Sequence, residues 1–333
     1  MITCIFTLDY EIFGNGEGSL RELVYEPAEK LRAVFKKWDA RFVTFVEASE
    51  FEMLEKHQAD SAINDVRRQI GSLHTQGFEI GLHLHPQWYN ARYENGKWVL
   101  DYSEYNLCAL PRERIAKIIE RSILYLRNVL DEPDFTPLSF RAGNWLFQPT
   151  KIAADVLVEN GIKIDSSVFK GGLQRNHRLD YRQARKNGYY WRFREEVTKN
   201  DPNGRLIELP THTVMVPSWK MVTSKRVGMG HKSRTSPLRG MMKFKRYLDY
   251  LRFMYPLKLD FCRMTVRELT SMMDKVIRDD QENPNLFRPI VAIGHTKDLV
   301  DIETVESFLS YLKEKGIAVS TFEGAYTRCL QQP

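Results

Sequence analysis

Short runs of apolar residues alternate along the chain with longer stretches in which apolar positions recur every three or four residues. The short runs predict β-strands and the longer stretches predict amphipathic helices. The predicted strands are Ile2–Leu8, Arg41–Val46, Phe78–His83, Pro137–Phe140, Ile162–Val168, Leu206–Leu209, Thr213–Val216, Pro289–Ile293 and Ile317–Thr321. The predicted helices are Pro27–Trp38, 48–57, 61–76, Pro111–Leu130, Pro149–Asn160, 239–254, 265–280 and Ile302–Lys315.

This order of elements predicts the fold class. Strands that alternate with helices indicate parallel strands joined by crossover helices, and such strands can curl into a barrel. Residues from about 170 to 264 interrupt the alternation with Gly171-Gly172 and with Asn200-Asp-Pro-Asn-Gly204. We therefore expect one α/β domain over residues 1–333, with an insertion at about 170–264.

Reactive side chains follow five of the predicted strands at their carboxyl ends. They are Asp9 and Glu11, His83 and His85, Arg141, Asp165 with Ser166, and His295. The carboxyl ends of the strands of a parallel barrel meet at one mouth, where the loops build active sites. The sequence therefore predicts that these side chains form a single site.

Two pairs of these residues have metal-binding chemistry. Asp9 and Glu11 are two positions apart, as are His83 and His85, so in extended backbone both members of a pair point to the same side. One carboxylate and two imidazoles are the ligands of many catalytic zinc sites. Each pair alone is more typical of an ordinary strand end, and it is their occurrence at the same end of the fold that favours a metal site.

Five short motifs carry these residues, and in order they resemble the motifs of the polysaccharide deacetylase (NodB-homology) family. They are Thr7-Leu-Asp-Tyr-Glu11, Glu79-Ile-Gly-Leu-His-Leu-His85, Ser139-Phe-Arg-Ala-Gly143, Asp165-Ser-Ser167 and Ile293-Gly-His295. The resemblance covers about residues 3–297. It implies a (β/α)7-type distorted barrel that removes acetyl groups from N-acetylated sugars with a divalent metal.

The resemblance also implies catalytic roles. Asp9 matches the general base, Arg141 the arginine that pairs with the base, and Asp165 a supporting partner of that arginine. His295 matches the general acid, and Ile293 takes the place of a leucine that lines the pocket for the acetyl methyl group.

The metal ligands depart from the family's pattern. His83 matches the first metal histidine, but the position four residues later, where the family has the second, is Gln87. Tyr10 stands where the family usually has a ligating aspartate. Glu11, one position further on, resembles the Asp-x-Glu variant of the family, and His85 is the only histidine near enough to substitute for the missing one. We therefore expect Glu11, His83 and His85 as ligands of a divalent metal, with zinc expected.

Two tryptophans follow the reactive positions, and aromatic rings of this kind can stack on the apolar faces of sugars. Trp88 and Trp145 are expected to contact a carbohydrate substrate, although each could instead cover the rim of the barrel.

The four cysteines among 333 residues form no Cys-x-x-Cys pair, so neither a disulfide framework nor a thiolate metal site is indicated.

Charge is concentrated in one segment. Residues 220–246 carry nine Lys and Arg and no acidic residue. Because these nine positive charges exceed the net charge of +6, the rest of the chain is net acidic. The segment could be a solvated face, or it could contact phosphate in a phosphate-linked sugar or at a membrane surface. Nucleic acid is disfavoured because aromatic residues are not interleaved with the basic ones.

No apolar run approaches the ~18 residues of a membrane span. The chain starts directly in a predicted core strand without a basic leader, so we expect a cytoplasmic protein.

These observations favour a metal-dependent deacetylase acting on an N-acetylated carbohydrate or related amide. Two alternatives stay open. One is a deacetylase-like barrel that binds sugar without catalysis, which Gln87 motivates. The other is a glycoside hydrolase that uses Asp9 and Glu11 as its two carboxylates.

Overall fold

The described part of the chain, residues 1–223, 226 and 252–331 of a computed structural model, contains fifteen strands and nine α-helices. The strands are β1 (Ile2–Tyr10), β2 (Val43–Glu47), β3 (Glu79–Leu84), β4 (Arg92–Glu94), β5 (Lys97–Val99), β6 (Ser139–Ala142), β7 (Ile164–Asp165), β8 (Leu173–Gln174), β9 (Leu179–Asp180), β10 (Trp191–Phe193), β11 (Leu206–Glu208), β12 (Thr213–Pro217), β13 (Met254–Lys258), β14 (Arg288–His295) and β15 (Ala318–Ser320). The helices are α1 (Glu26–Lys37), α2 (Ala48–Lys56), α3 (Ile63–Thr75), α4 (Arg112–Leu130), α5 (Lys151–Glu159), α6 (Ser218–Thr223), α7 (Val266–Glu282), α8 (Ile302–Glu314) and α9 (Phe322–Gln331).

Seven parallel strands build the main sheet, in the order β11-β7-β6-β3-β2-β1-β14. β10 adds an antiparallel edge beside β11, and β15 pairs with the first half of β1. Helices connect most of the consecutive parallel strands. The α/β fold, with its strands curled into a distorted (β/α)7-type barrel, is therefore confirmed.

The two ends of the sheet meet at a seam, which consists of residues 209–212 and 259–261 against β14. Single bridges replace a continuous ladder there: Thr211 pairs with Val291 and Asp260 pairs with Ile293. The His212 N–H donates to the Val291 carbonyl over 2.9 Å, and the Ile293 N–H donates to the Leu259 carbonyl over 2.8 Å. The seam thus closes the barrel with few hydrogen bonds.

Alternation along β1 sorts its side chains between two layers. Phe6 and Leu8 join the large core under the helices, where Phe6 packs edge-on against Phe35 and Phe308. Ile5 joins the smaller cluster inside the barrel. Because side chains alternate, Asp9 has the same parity as Ile5 and points inward at the strand's carboxyl end.

Most predicted elements are present within one to three residues of their expected ends. Helix α7 starts with the capping box that the sequence contains, in which Thr265 and Glu268 satisfy each other's backbone N–H groups. Of the predicted helix 239–254, residues 239–251 lie outside the described residues, and Met254 begins a strand. Within the predicted insertion, β11 belongs to the main sheet. None of the helices in the described ranges has the length and hydrophobicity needed to cross a bilayer.

Candidate metal centre

Glu11, His83 and His85 meet at the mouth of the barrel with their ligand atoms within 4.8 Å of one another. Glu11 Oε2 lies 3.4 Å from His83 Nε2 and 3.0 Å from His85 Nε2. Ligands bound tetrahedrally at ~2.0–2.1 Å from zinc are about 3.3 Å apart, close to both distances. All three side chains are buried. The predicted ligands are therefore brought together with spacings that suit one ion.

The tautomer of His83 also fits a cation at this position. His83 Nδ1 lies 2.8 Å from the Arg141 carbonyl oxygen, which can only accept, so Nδ1 carries a hydrogen. In the neutral imidazole the Nε2 lone pair then faces the Glu11 carboxylate, and only a proton or a metal ion relieves that repulsion. Burial would lower the pKa of His83, but the carboxylates of Asp9 and Glu11 raise it above its ordinary value.

Two residues at the start of α2 hold the backbone of His85. The His85 N–H donates to Glu47 Oε1 over 2.6 Å, and the Ser49 hydroxyl lies 3.1 Å from the His85 carbonyl oxygen. Ser49 Oγ is also 2.6 Å from the same Glu47 oxygen. The buried side chains of Glu47 and Ser49 thus contact the N–H and the carbonyl group of His85.

Side-chain amides surround the other nitrogen of the His85 ring. Asn144 Nδ2 lies 3.1 Å and Gln87 Nε2 3.4 Å from Nδ1, while Gln87 Oε1 is buried without a hydrogen-bond partner. Amide nitrogen and oxygen are interchanged by a half-turn of the group. With the amide nitrogens facing it, Nδ1 of His85 accepts and the ring hydrogen lies on Nε2, toward Glu11. Half-turns of both amides instead let Gln87 Oε1 and Asn144 Oδ1 accept from an Nδ1–H and free Nε2 of His85 to bind a metal ion.

A lysine neutralises part of the charge on Glu11. Lys297 Nζ donates to Glu11 Oε1 over 2.8 Å and to the Ile12 carbonyl over 2.7 Å. Burial would raise the pKa of Glu11, but Lys297 and the two histidines hold it well below its ordinary value. Glu11 is therefore ionised near neutral pH, as a metal ligand must be.

Arg141 clamps Asp9 beside this cluster. Its Nη1 donates to Asp9 Oδ1 over 2.5 Å, and its Nη2 donates to Thr7 Oγ1 over 2.9 Å. The guanidinium also lies 4.2 Å over the Phe45 ring. Burial alone would raise the pKa of Asp9, but Arg141, His83 and His295 lower it. The predicted base and its arginine are thus in contact, and Asp9 is ionised.

Among the described residues Asp165 forms no hydrogen bond with Arg141, although the guanidinium is near enough to act against the rise in the pKa of Asp165 that burial causes. Ile164 points into the barrel, so Asp165 faces the opposite side of the sheet, where its carboxylate accepts hydrogen bonds from the Ser167 hydroxyl (2.6 Å) and N–H (3.2 Å). Ser166 faces inward instead: its hydroxyl and carbonyl accept from Arg141 over 3.1 and 3.0 Å. The side-chain alternation of a strand therefore gives Ser166 the place expected for Asp165.

His295 lies near three carboxylates at the end of β14. Its Nε2 is 3.4 Å from Asp9 Oδ2 and 4.0 Å from Glu11 Oε1, and its Nδ1 is 3.7 Å from Asp298 Oδ2. The imidazole thus borders both the predicted base and the candidate metal ligands. Asp298, three residues further along the chain, was not among the predicted site residues.

The three predicted substrate contacts have different surroundings. Trp145 is half-buried at the mouth, with Lys258 Nζ 4.3 Å from its ring, and both Asn144 and Trp145 have left-handed backbone angles, which are uncommon outside glycine. Trp88 is 1% exposed and packs edge-on against Trp98, so it has no free face for a sugar. Ile293 is fully buried, one inward position below His295.

The predicted basic segment 220–246 lies largely outside the described residues. At its start, Lys220 Nζ is 3.8 Å from Glu268, and Arg226 forms an ion pair with Asp301 at 2.7 Å. These two basic residues are therefore at least partly neutralised by acidic groups of the chain itself.

Comparisons with known proteins identify the fold. No protein-family model matches the chain, and no curated protein matches it. A Mycobacterium smegmatis protein assigned as a polysaccharide deacetylase has a TM-score of 0.54 at 13% identity, over 100% of this chain and 92% of its own. A Thermococcus kodakaraensis GH57 branching enzyme, solved with glucose, has a TM-score of 0.56 at 12% identity, over 98% of this chain and 71% of the enzyme.

A Pseudomonas aeruginosa PAO1 protein that is also assigned as a polysaccharide deacetylase has a TM-score of 0.51 at 10% identity, over 97% of this chain and 89% of its own. Identity this low shows a common fold and nothing of the reaction. The chain therefore has the α/β barrel fold of the structures assigned as polysaccharide deacetylases, which it shares with a GH57 branching enzyme.

Proposed function

We propose that this protein is a metal-dependent hydrolase that removes an acetyl group from an N-acetylated carbohydrate or a related amide. The observation that carries the proposal is the meeting of Asp9, Glu11, His83, His85 and His295 at one barrel mouth. Two imidazoles and one carboxylate suit zinc, with a position left open. When bound, a divalent ion supplies a Lewis acid that polarises a carbonyl oxygen and acidifies water.

The chain's own residues supply the proton transfers that amide hydrolysis needs. Asp9 is ionised and held by Arg141, so it can accept the proton of an attacking water. His295 Nε2 faces the same space and can donate a proton to the departing amine nitrogen, while Asp298 lies beside its Nδ1. An acid–base pair of this kind contributes roughly 10²–10⁴-fold to the rate.

Trp145 is the proposed sugar contact. Its half-buried ring lies at the mouth, beside the buried guanidinium of Arg141 at 5.5 Å. An aromatic ring offers an apolar face to the C–H groups of a pyranose. Trp88 is left out of this proposal because it is buried in the core.

Acetate release from an N-acetylglucosamine oligomer, measured with the full-length zinc-loaded protein, tests the proposal. We expect Asp9→Asn to lower kcat by about 10²–10⁴-fold. We expect His83→Ala and a chelator each to remove both the metal and the activity, and added zinc to restore the chelated wild type. His74→Ala, at a partly exposed histidine of α3 that pairs with Glu132, is the matched control and should behave as wild type. Activity that persists in Asp9→Asn, or in metal-free protein, contradicts the proposal.

The fold similarity to a GH57 branching enzyme favours a glycoside hydrolase as the second candidate. Such an enzyme needs one carboxyl group with a raised pKa as its acid. At the mouth, however, the pKa values of Asp9 and Glu11 are both lowered, because nearby cationic groups outweigh the effect of burial on these carboxyl groups. Cleavage of the oligomer without acetate release, unaffected by a chelator, would support this candidate instead.

A sugar-binding barrel without catalysis is the remaining alternative. Lys297 already pairs with Glu11, so the cluster has a counter-cation of its own. Calorimetry with the same oligomer separates this case: binding together with no bound zinc and no acetate release would indicate it.

A further inference from the structure

A cavity of about 280 Å³ lies at the seam, away from the candidate metal centre. Thr211 and His212 of the seam line it together with Pro289 of β14 and with Lys170. Along a strand that rises ~3.3 Å per residue, Pro289 lies about 20 Å from the strand end that carries His295, and Thr211, which pairs with Val291, lies about 13 Å from that end. We call this space the seam cavity.

The seam cavity follows from how the barrel closes. β14 contacts residues 209–212 through one isolated bridge, between Thr211 and Val291, instead of a ladder. Pro210 and Pro289 line the gap, and neither has an N–H group with which to extend the pairing. The two edges of the sheet therefore do not pair between Thr211 and the amino end of β14.

Two cationic side chains, Lys170 and Arg185, line this space, while Asp279 lies outside the lining and hydrogen-bonds to Tyr189. Lys170 Nζ donates to the carbonyl oxygens of Asn187 (2.6 Å) and Gly188 (2.5 Å), which fixes the ammonium and leaves one of its three N–H donors. Burial lowers the pKa of Lys170 to about 8, so the ammonium is still mostly charged at neutral pH. Arg185 adds a second cation at the rim, and no acidic residue is among the described residues that line the cavity.

Two polar atoms of the lining are buried without a hydrogen-bond partner. They are Oγ1 of Thr211, whose side chain is 0% exposed, and Nε2 of His212. Burial lowers the pKa of His212 to about 4, so its ring is neutral at physiological pH. Buried polar atoms are nearly always paired, and a ligand or ordered water in the cavity would pair both.

We propose that the seam cavity binds a small organic anion. Its phosphate or carboxylate group is held by Lys170, Arg185 and the Thr211 hydroxyl, while the rest of the ligand packs against Pro210 and Pro289. The volume exceeds what a bare inorganic ion fills, and the lining offers donors on one side and proline rings on the other. This site is independent of the proposed deacetylase reaction.

Calorimetric titration of the full chain with glucose 6-phosphate, gluconate and glucose tests the proposal. The three probes share a similar body and differ in carrying a phosphate, a carboxylate or no charge. We expect at least one anion to bind with a dissociation constant below about 1 mM, and glucose to bind at least tenfold more weakly. Which anion binds more tightly tells phosphate from carboxylate recognition.

Variants locate the binding site. Lys170→Met should weaken anion binding at least tenfold, and Thr211→Val, which only replaces the hydroxyl by a methyl group, should weaken it severalfold without lowering the melting temperature. Lys186→Met, at an exposed lysine beside Arg185 that does not line the cavity, should stay within twofold of wild type. His83→Ala should also leave anion binding unchanged, which keeps this test separate from that of the metal centre.

The proposal is overturned if neither anion binds more tightly than glucose. It is equally overturned if Lys170→Met and Thr211→Val bind the anions as wild type does, because the anion is then held elsewhere.

Discussion

Gly143 offers a direct test of the candidate metal centre, because its missing side chain makes room for a predicted ligand. A Cβ atom at this position would lie 2.5 Å from the Leu84 carbonyl oxygen, 2.7 Å from His85 Cγ and 2.8 Å from His85 Nδ1. Carbon atoms in normal contact are ~3.5 Å apart. In Gly143→Ala the imidazole of His85 must therefore retreat by about 0.7 Å or more.

That displacement is large for a metal ligand. Metal–ligand distances tolerate only about ±0.2 Å, and losing the support of a ligand typically weakens metal binding 10–100-fold. We expect Gly143→Ala to raise the zinc dissociation constant by that factor and to lower acetate release in parallel. Overpacking should also cost about 1–3 kcal/mol of folding stability.

The measurement is a zinc competition titration against a chromophoric chelator, with a thermal melt of each protein. Gly71→Ala is the matched control, because its Cβ would meet nothing closer than the Val129 carbonyl oxygen at 3.8 Å. Alanine in that helix should leave zinc binding unchanged and raise stability by up to ~1 kcal/mol. A folded Gly143→Ala protein that binds zinc within twofold of wild type would refute the placement of His85 in the metal site.

Two further predictions concern buried polar groups. Ser49→Ala removes the hydroxyl between Glu47 Oε1 and the His85 carbonyl, so zinc should bind about tenfold more weakly, whereas Ser310→Ala on the surface should have no effect. Equal zinc affinity in both variants would contradict this. Burial raises the pKa of Glu79 to about 7 in the folded state, against about 4.3 in the unfolded chain. Between these two pH values the folded state binds more protons at Glu79 than the unfolded state, so the free energy of unfolding falls as pH rises. Glu79→Gln should lose less stability between pH 5 and 8 than wild type in urea unfolding; an equal loss would show that Glu79 does not titrate as described.

The sequence was sufficient for the residues whose position follows from strand parity and strand ends. These residues lie at the carboxyl ends of barrel strands or directly after them, and they meet because parallel strands end at one mouth: Asp9, Glu11, His83, His85, Arg141 and His295. At β7 the resemblance pointed to Asp165 as the partner of Arg141, whereas Ser166 is the residue that accepts hydrogen bonds from Arg141, on the inward side of this two-residue strand's end.

Residues that support the site from other elements were missed for physical reasons. Glu47 and Ser49 look like an ordinary helix start, because only the fold brings them to the backbone of His85. Trp88 was expected to contact a sugar because nothing in its own motif reveals that Trp98 covers it. Lys297 and Asp298 did have a signal: both are charged and follow His295 within three residues, on the loop that leaves β14.

The contact between Lys297 and Glu11 has a consequence for how the protein should behave when no ion occupies the candidate metal centre. A carboxylate left alone in a dry interior is strongly destabilising, and small zinc domains unfold when their ion is withdrawn. Here an ammonium 2.8 Å away keeps the carboxylate compensated whether or not an ion is present. The barrel should therefore stay folded after a chelator is added, and it should then bind a different divalent ion when that ion is supplied.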